Sequence, residues 1–308
     1  MKILFFGSDE FAIPSLQTLV QSQHKILGVV TQPDKPAGRG KKTTPCPVAT
    51  LAKELNLKLL QPETLKKEEA IDSLLIFKPD ILVVVAYGQF LPTRLIDAVP
   101  HKAVNLHPSL LPKYRGAAPM QWAILNGDEQ TGVTTATIVS EMDAGDIYLQ
   151  CETNIDEAEN FESLQNSLAQ LGADLLIKTL DGIERSALKP KPQDPSKVIF
   201  APKLLKEDGH LDFNEPAEKL YNKVRALNPW PGTFCWLNGK LLKILEAAPL
   251  NMSSQKPVGE VIENKEGLIV ACGQKALCLL EVQLEGKKKM GVRDFLKGHP
   301  IELGTQLK

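Results

Sequence analysis

DILVVVAYG, residues 80–88, is an aliphatic and β-branched run opened by an acid and closed by a glycine. A half-exposed strand would alternate polar and apolar side chains, and this one does not, so it expects cover on both faces, as strands of parallel sheets have. Working upstream, KILFFG (2–7) and ILGVVTQ (26–32) read as two more short strands, with FAIPSLQTLVQ (11–21) between them as a helix. Downstream, HKAVNLH (101–107) continues the sheet, and two further β-branched runs, TGVTTATIVS and GDIYLQCE, flank EMDAGD. ESLQNSLAQLGADLLIKTLDGI (162–183) has the spacing of a long amphipathic helix that ends near Gly182. Strands alternating with helices in this way predict an α/β, doubly wound domain.

The pattern then changes. LKPKPQDPSKV (188–198) interrupts all periodicity with prolines and mixed charge, as linkers do. The expected division is a first domain over 1–189, a linker over 190–206 and a second domain over 207–308. In the latter, one helix (216–227) precedes the runs TFCWL, KLLKILEAAPL, VGEVIE, GLIVACG and ALCLLEVQL. Turn signals such as Asn238-Gly239 separate them at the spacing of a small β-barrel.

Composition narrows the function. The chain has 308 residues, 36 Lys+Arg against 37 Asp+Glu, and a formal net charge of −1. No whole-molecule field draws it to a polyanion, so any such partner must be met by a local patch. Five cysteines without a CxxC pair fit neither a disulfide framework nor a zinc site. The absence of a signal peptide or of a run near the roughly 20 apolar residues of a membrane span gives a cytoplasmic protein with no membrane contact as the expectation. A monomer is expected too, since no association motif is evident.

Several stretches carry chemistry. In NLHPSLLPKYRG (105–116), Asn105 and His107 stand two apart on one strand and so share a face, and Pro108 ends the strand there. An amide and an imidazole at the carboxyl edge of a doubly wound sheet occupy the place where such folds bind ligands. They suit a reaction in which a proton leaves a nucleophile while charge builds on a carbonyl oxygen. MDAGD (142–146) is a turn whose Asp143 or Asp146 can orient His107 as the third member of a triad does. The first strand-to-helix turn, GSDEF, has one glycine where a dinucleotide site needs GxGxxG, so NAD is not expected. His24, His101, His107, His210 and His299 show no metal-ligand spacing, and no metal is expected. Between Gln32 and Pro47, Lys35, Arg39, Lys41 and Lys42 face one acid, Asp34, in a long structureless loop. Such a loop fits an anion-binding arm, with phosphate backbone the obvious polyanion.

With these residues in place, the sequence resembles the folate-dependent formyltransferases. NLHPSLLPKYRG followed by MDAGD is similar to the signature of enzymes that take a formyl group from 10-formyltetrahydrofolate. The resemblance implies a Rossmann-like first domain, an OB-like β-barrel second domain, and catalytic roles for Asn105, His107 and Asp143. It implies that Ser109, Leu110, Leu111 and Pro112 line the folate site, with AYGQFLP (86–92) nearby. TQPDKPAGRGKK resembles the insertion that the tRNA-directed branch sets against the acceptor arm, which makes Arg39, Lys41 and Lys42 tRNA-binding and initiator methionyl-tRNA the partner. LNPWPGTF (227–234) and DFLKGHPIELG (294–304) also look like that branch. Sugar-nucleotide formyltransferases and 10-formyltetrahydrofolate hydrolases share the signature and a similar C-terminal extension, and stay open as alternatives.

Overall fold

Ile81–Val85 forms a strand with all five side chains buried, paired in parallel with Lys2–Gly7 on one side and Ala103–His107 on the other. These coordinates are a computed structural model that describes residues 1–37, 42–265 and 267–308. Numbered along the chain, the strands of the first sheet are β1 (Lys2–Gly7), β2 (Lys25–Val30), β3 (Leu59–Leu60), β4 (Ile81–Val85), β5 (Ala103–His107), β6 (Gln130–Thr137) and β7 (Ile147–Asn154). Their spatial order is β3-β2-β1-β4-β5-β6-β7. The first five run parallel, and β6 and β7 are added antiparallel. The chain walks outward from β1 to β3 and then returns to β4, so the order reverses between β1 and β4, the kind of crevice where doubly wound sheets take ligands.

The helices Ile13–Gln21, Pro47–Glu54, Glu68–Leu75 and Thr93–Asp97 connect successive parallel strands. Leu4, Phe6, Leu82 and Val84 pack with Ile71, Leu74, Leu95 and Ile96 on one face. The alternate residues Ile3, Phe5, Ile81 and Val83 are just as buried. Cover on both faces explains why 81–85 shows no polar alternation. The expected helix at 162–183 is found at Phe161–Glu184.

Two compact units divide the molecule. The first comprises Met1–Gly116, Gln130–Asn154 and Gln165–Ala201; the second takes Ala117–Glu129, Ile155–Leu164 and Pro202–Lys308. The second unit thus includes two pieces from within the span 1–189. Helix Pro119–Leu125 packs on helix Ala217–Leu227, and Tyr221 Oη and Arg225 Nη1 donate to the carbonyls of Glu157 and Glu159.

Beyond its helices, the second unit contains an antiparallel sheet of β8 (Thr233–Leu237), β9 (Lys240–Leu250), β10 (Val261–Glu263), β11 (Leu268–Ala271), β12 (Ala276–Leu284) and β13 (Met290–Gly291). The order is β8-β9-β12-β11-β10, with β13 on β12. Asn238 and Gly239 take φ of 49° and 76°, the left-handed pair that a two-residue hairpin needs. The last residues bridge the two open edges. Trp236 and Lys308 exchange backbone hydrogen bonds on β8, while Val261 N donates to Thr305 O and Leu307 N to Gly259 O beside β10. The sheet closes through this tail around Leu242, Ile244, Val270, Leu279 and Leu307.

One expectation is corrected. The arm between Gln32 and Pro47 is not structureless, because Lys35–Ala37 pairs antiparallel with Lys42–Thr44. The β-branched Thr43 and Thr44 favour extension, and pairing occupies backbone groups that an irregular arm leaves to water. Among the described residues, no helix is long and apolar enough to cross a membrane.

Leu307 is 2% exposed and sits in the barrel core. Leu307→Ala should cost about 2–5 kcal/mol, read as a lower denaturation midpoint with an unchanged far-UV spectrum.

Candidate functional site

Strand β5 reads AVNLH, and its pleat puts Val104 and Leu106 into the core while Asn105 and His107 share the other face. Asn105 is half-buried and His107 is 4% exposed. Beyond Pro108 the chain folds back at once. Ser109 Oγ donates to Lys113 O at 2.6 Å, so this serine is a buried turn former. Tyr114 then adopts a φ of 63°, and its carbonyl lies 2.9 Å from His107 Nε2. A carbonyl oxygen only accepts, so Nε2 donates and carries the proton.

The third residue arrives from the turn between β6 and β7. Asp143 has φ of 52°, and its Oδ1 lies 3.6 Å from His107 Nδ1 and 3.4 Å from Asn105 Nδ2. Its Oδ2 accepts from Gly116 N at 2.9 Å. Asp146, the other acid of the turn, gives its backbone carbonyl to Thr137 N; Asp143 is the one beside the imidazole. Gly145 is required in this turn, since a Cβ there would lie 1.8 Å from Thr137 O. Gly116 is equally constrained, with φ of 132° and the Ala201 carbonyl 2.4 Å from where a Cβ would stand.

The structure therefore brings Asn105, His107 and Asp143 together, but with a different division of labour from the expected triad. The ring is oriented by the Tyr114 carbonyl, and the carboxylate stands on the side of Nδ1. In the neutral ring with Nε2 protonated, Nδ1 and Oδ1 are both acceptors and face each other. One amide donor, one imidazole lone pair and one carboxylate thus converge where charge on a carbonyl oxygen and a departing proton can both be handled.

The remaining expected residues are placed as follows. Ser109 and Leu111 are buried, and Leu110 and Pro112 are half-buried, in the loop directly after β5. Residues 86–92 leave β4 at the same carboxyl edge, where Ser8 N donates to Ala86 O and Gln32 Nε2 to Tyr87 O. Phe90 is 68% exposed there, and burial pushes the Tyr87 hydroxyl up to about 12. Arg39 and Lys41 lie outside the described residues, and only the backbone of Lys42 is described.

Several residues were missed by the sequence reading. Thr134 Oγ1 donates to Ser109 O at 2.6 Å and accepts from Leu111 N and Gln150 Nε2; Gln150 also donates to Leu111 O at 2.9 Å. Thr134 and Gln150 are direct cross-strand partners, a pairing that only the register reveals. Among the described residues, His24, Asp181 and Glu184 also bring ligand-type atoms within 4.8 Å of one another. Here His24 Nε2 faces Asp181 Oδ1 at 3.3 Å, and the Met1 amino group contacts both His24 Nδ1 and Glu184 Oε1. Spacing gave no hint of this group, because its members are far apart in the chain.

Comparison with known proteins points in one direction. Residues 1–180 match the family model described as formyl transferase, and residues 203–300 match that of the formyl transferase C-terminal domain. A methionyl-tRNA formyltransferase of Caldanaerobacter subterraneus subsp. tengcongensis is 43% identical over 309 residues, covering 100% of both chains. Among solved structures, HypX from Aquifex aeolicus in complex with tetrahydrofolic acid aligns with a TM-score of 0.67 at 20% identity, over 96% of this chain and 47% of that one. An N-formyltransferase from Helicobacter canadensis, solved with folinic acid and dTDP-3-aminofucose, gives 0.67 at 18% identity over 91% and 99%. At such identities these two likenesses speak to the fold alone.

Thr134→Val keeps the shape of the side chain but leaves Leu111 N and Ser109 O without their partner. The variant should lose about 1–3 kcal/mol of stability, measured by denaturant titration.

Proposed function

The chain belongs to the formyl transferase family, and from that premise we propose that it transfers the formyl group of 10-formyltetrahydrofolate to the amino group of initiator methionyl-tRNA, giving N-formylmethionyl-tRNA for translation initiation. The observation that carries the chemistry is the convergence of Asn105 Nδ2 and His107 Nδ1 on Asp143 Oδ1, at 3.4 and 3.6 Å, at the carboxyl edge of the sheet. The acceptor rests on full-length identity of 43% to a methionyl-tRNA formyltransferase.

The proposed reaction is direct acyl transfer. A free α-amino group has a reference pKa of roughly 7.7–8.0, and the neighbouring ester of an aminoacyl-tRNA lowers it, so a useful fraction is neutral near pH 7. That nitrogen attacks the formyl carbon, a new C–N bond forms, and negative charge develops on the formyl oxygen. Asn105 Nδ2 donates to that oxygen. The bond from carbon to N10 then breaks, and the proton lost by the amine is taken up at His107 Nδ1 and delivered from there to N10. The Asp143 carboxylate stabilises the imidazolium in between, while Nε2 stays on the Tyr114 carbonyl. Every group in this step is organic, and the folate acts as a co-substrate.

Ser109, Leu110, Leu111 and Pro112 border the folate in this reading, with 86–92 on the other side. Arg39, Lys41 and Lys42 bind the acceptor arm, residues 1–189 form the catalytic domain and 207–308 a tRNA-positioning domain. A monomeric, cytoplasmic protein belongs to the same reading.

The test offers the purified protein 10-formyltetrahydrofolate with methionyl-initiator tRNA, a nucleotide-linked amino sugar, or water alone. Formyl-tRNA as the product supports the proposal; formyl-sugar or bare tetrahydrofolate release moves the chain to a sister activity. Asn105→Ala should lower kcat by roughly 10²–10³-fold, the loss of one oxyanion donor, and Asp143→Ala should abolish turnover with the fold intact. Near-normal turnover of Asp143→Ala would leave that turn a structural one. Arg39→Ala should raise KM for tRNA at unchanged folate affinity; equal loss of folate affinity contradicts the assignment of the arm.

A further inference from the structure

Residues 188–201 have the composition of a linker, yet they are bonded to the loop that follows β5 and to the β6–β7 connection that carries Asp143. Lys191 and Ile147 exchange two backbone hydrogen bonds at 2.8 Å, and Ile199 N donates to Pro112 O while Ile199 O accepts from Arg115 N. Phe200–Ala201 pairs in parallel with Arg115–Gly116. Between these ties stands the half-buried side chain of Gln193. Its Nε2 donates to two carbonyls, those of Asp143 and Gly145, both at 2.7 Å. Its Oε1 accepts from Arg115 Nε at 3.0 Å, and Arg115 Nη1 reaches Glu141 Oε1 at 3.1 Å.

The chemistry of this arrangement is specific. Asp143 holds a φ of 52°, a left-handed conformation that an L-residue keeps only where its surroundings fix it. Two carbonyls of that turn, two residues apart, converge on one point. A primary amide is the neutral side chain that offers two N–H groups from one nitrogen and still presents an acceptor on its far side. Arg115 fills that acceptor and so decides which end of the amide faces the turn. Remove the amide and the Asp143 and Gly145 carbonyls lose a shared donor, freeing the turn to rotate its carboxylate away from His107.

We propose that Gln193 is a positioning residue for formyl transfer, clamping the Asp143 turn so that the carboxylate stands beside His107 Nδ1, with Arg115 fixing the orientation of the amide. The inference rests on the role of Asp143 given above. It makes part of the apparent linker a working piece of the site.

Kinetics on the full chain test it, with tetrahydrofolate formation as the common readout for every acceptor. No formyl-tRNA from the parent protein counts against the acceptor alone, whereas the ratio of variant to parent turnover judges Gln193. Gln193→Leu should lower kcat by roughly 10–100-fold, the scale of a misplacement near 1 Å, with KM for both substrates unchanged. Gln193→Glu keeps an acceptor for Arg115 but sets a carboxylate oxygen against two carbonyls, and should lose as much. Asp194→Ala, next in the chain and bonded among the described residues only to Ser196 and Lys197, should keep full kcat. In single-turnover reactions on an Asp143→Asn background, Gln193→Leu should have no further effect, because the two act as a unit. The proposal is overturned by unchanged kcat in both Gln193 variants, by a loss confined to KM, by an equal loss in the Asp143→Asn background, or by Asp194→Ala losing as much. If melting curves show Gln193→Leu unfolded, the kcat of Gln193→Glu decides.

Discussion

The hydrogen bond from His107 Nε2 to the Tyr114 carbonyl, 2.9 Å long, sets the terms for the other groups of the site. It commits the proton of the neutral ring to the far nitrogen and leaves Nδ1 bare on the side of Asn105 and Asp143. The carbonyl is available because Tyr114 sits in the left-handed region at φ of 63°, where the backbone turns back toward the strand it has just left. That turn is in turn pinned by Ser109, Thr134 and Gln150. In a serine-protease triad a carboxylate holds the nitrogen away from the reaction; here a backbone carbonyl faces Nε2, and the carboxylate stands beside Nδ1, the nitrogen that takes the proton in the proposed transfer. A charge beside the nitrogen that accepts the proton stabilises the cation where it forms.

Strand β5 explains why so much of this was legible in the sequence. Its apolar residues Val104 and Leu106 fix the pleat, the pleat fixes which face Asn105 and His107 share, and Pro108 fixes where the strand ends. Those are local rules of period two and of proline sterics, and they need no knowledge of the rest of the fold. The same holds for the Asn238-Gly239 hairpin and for the helix at Phe161–Glu184, whose boundaries fall within a residue of the expected ones. The resemblance supplied what local rules do not: that Asp143, far along the chain from His107, is its neighbour.

What stayed illegible depends on register and on closure. Thr134 and Gln150 matter because they face each other across two strands, and nothing in either strand alone marks them. Gln193 sits among prolines that read as an irregular connector, since prolines break periodicity whether or not a side chain between them is engaged. Residues 305–308 supply the backbone bonds that seal β8 to β10, a role that depends on where both sheet edges lie. A sheet edge left open carries unpaired N–H and C=O groups, and closure by a distant segment is a property of the whole barrel.

The most direct measurement is the ¹⁵N NMR spectrum of the His107 ring in the full-length protein, at a pH where the imidazole is neutral, with and without 10-formyltetrahydrofolate. Nε2 should resonate as the protonated nitrogen and Nδ1 as the bare one in both states. A ring with its proton on Nδ1 would contradict the tautomer set by Tyr114, and with it the route by which the proton leaves the attacking amine.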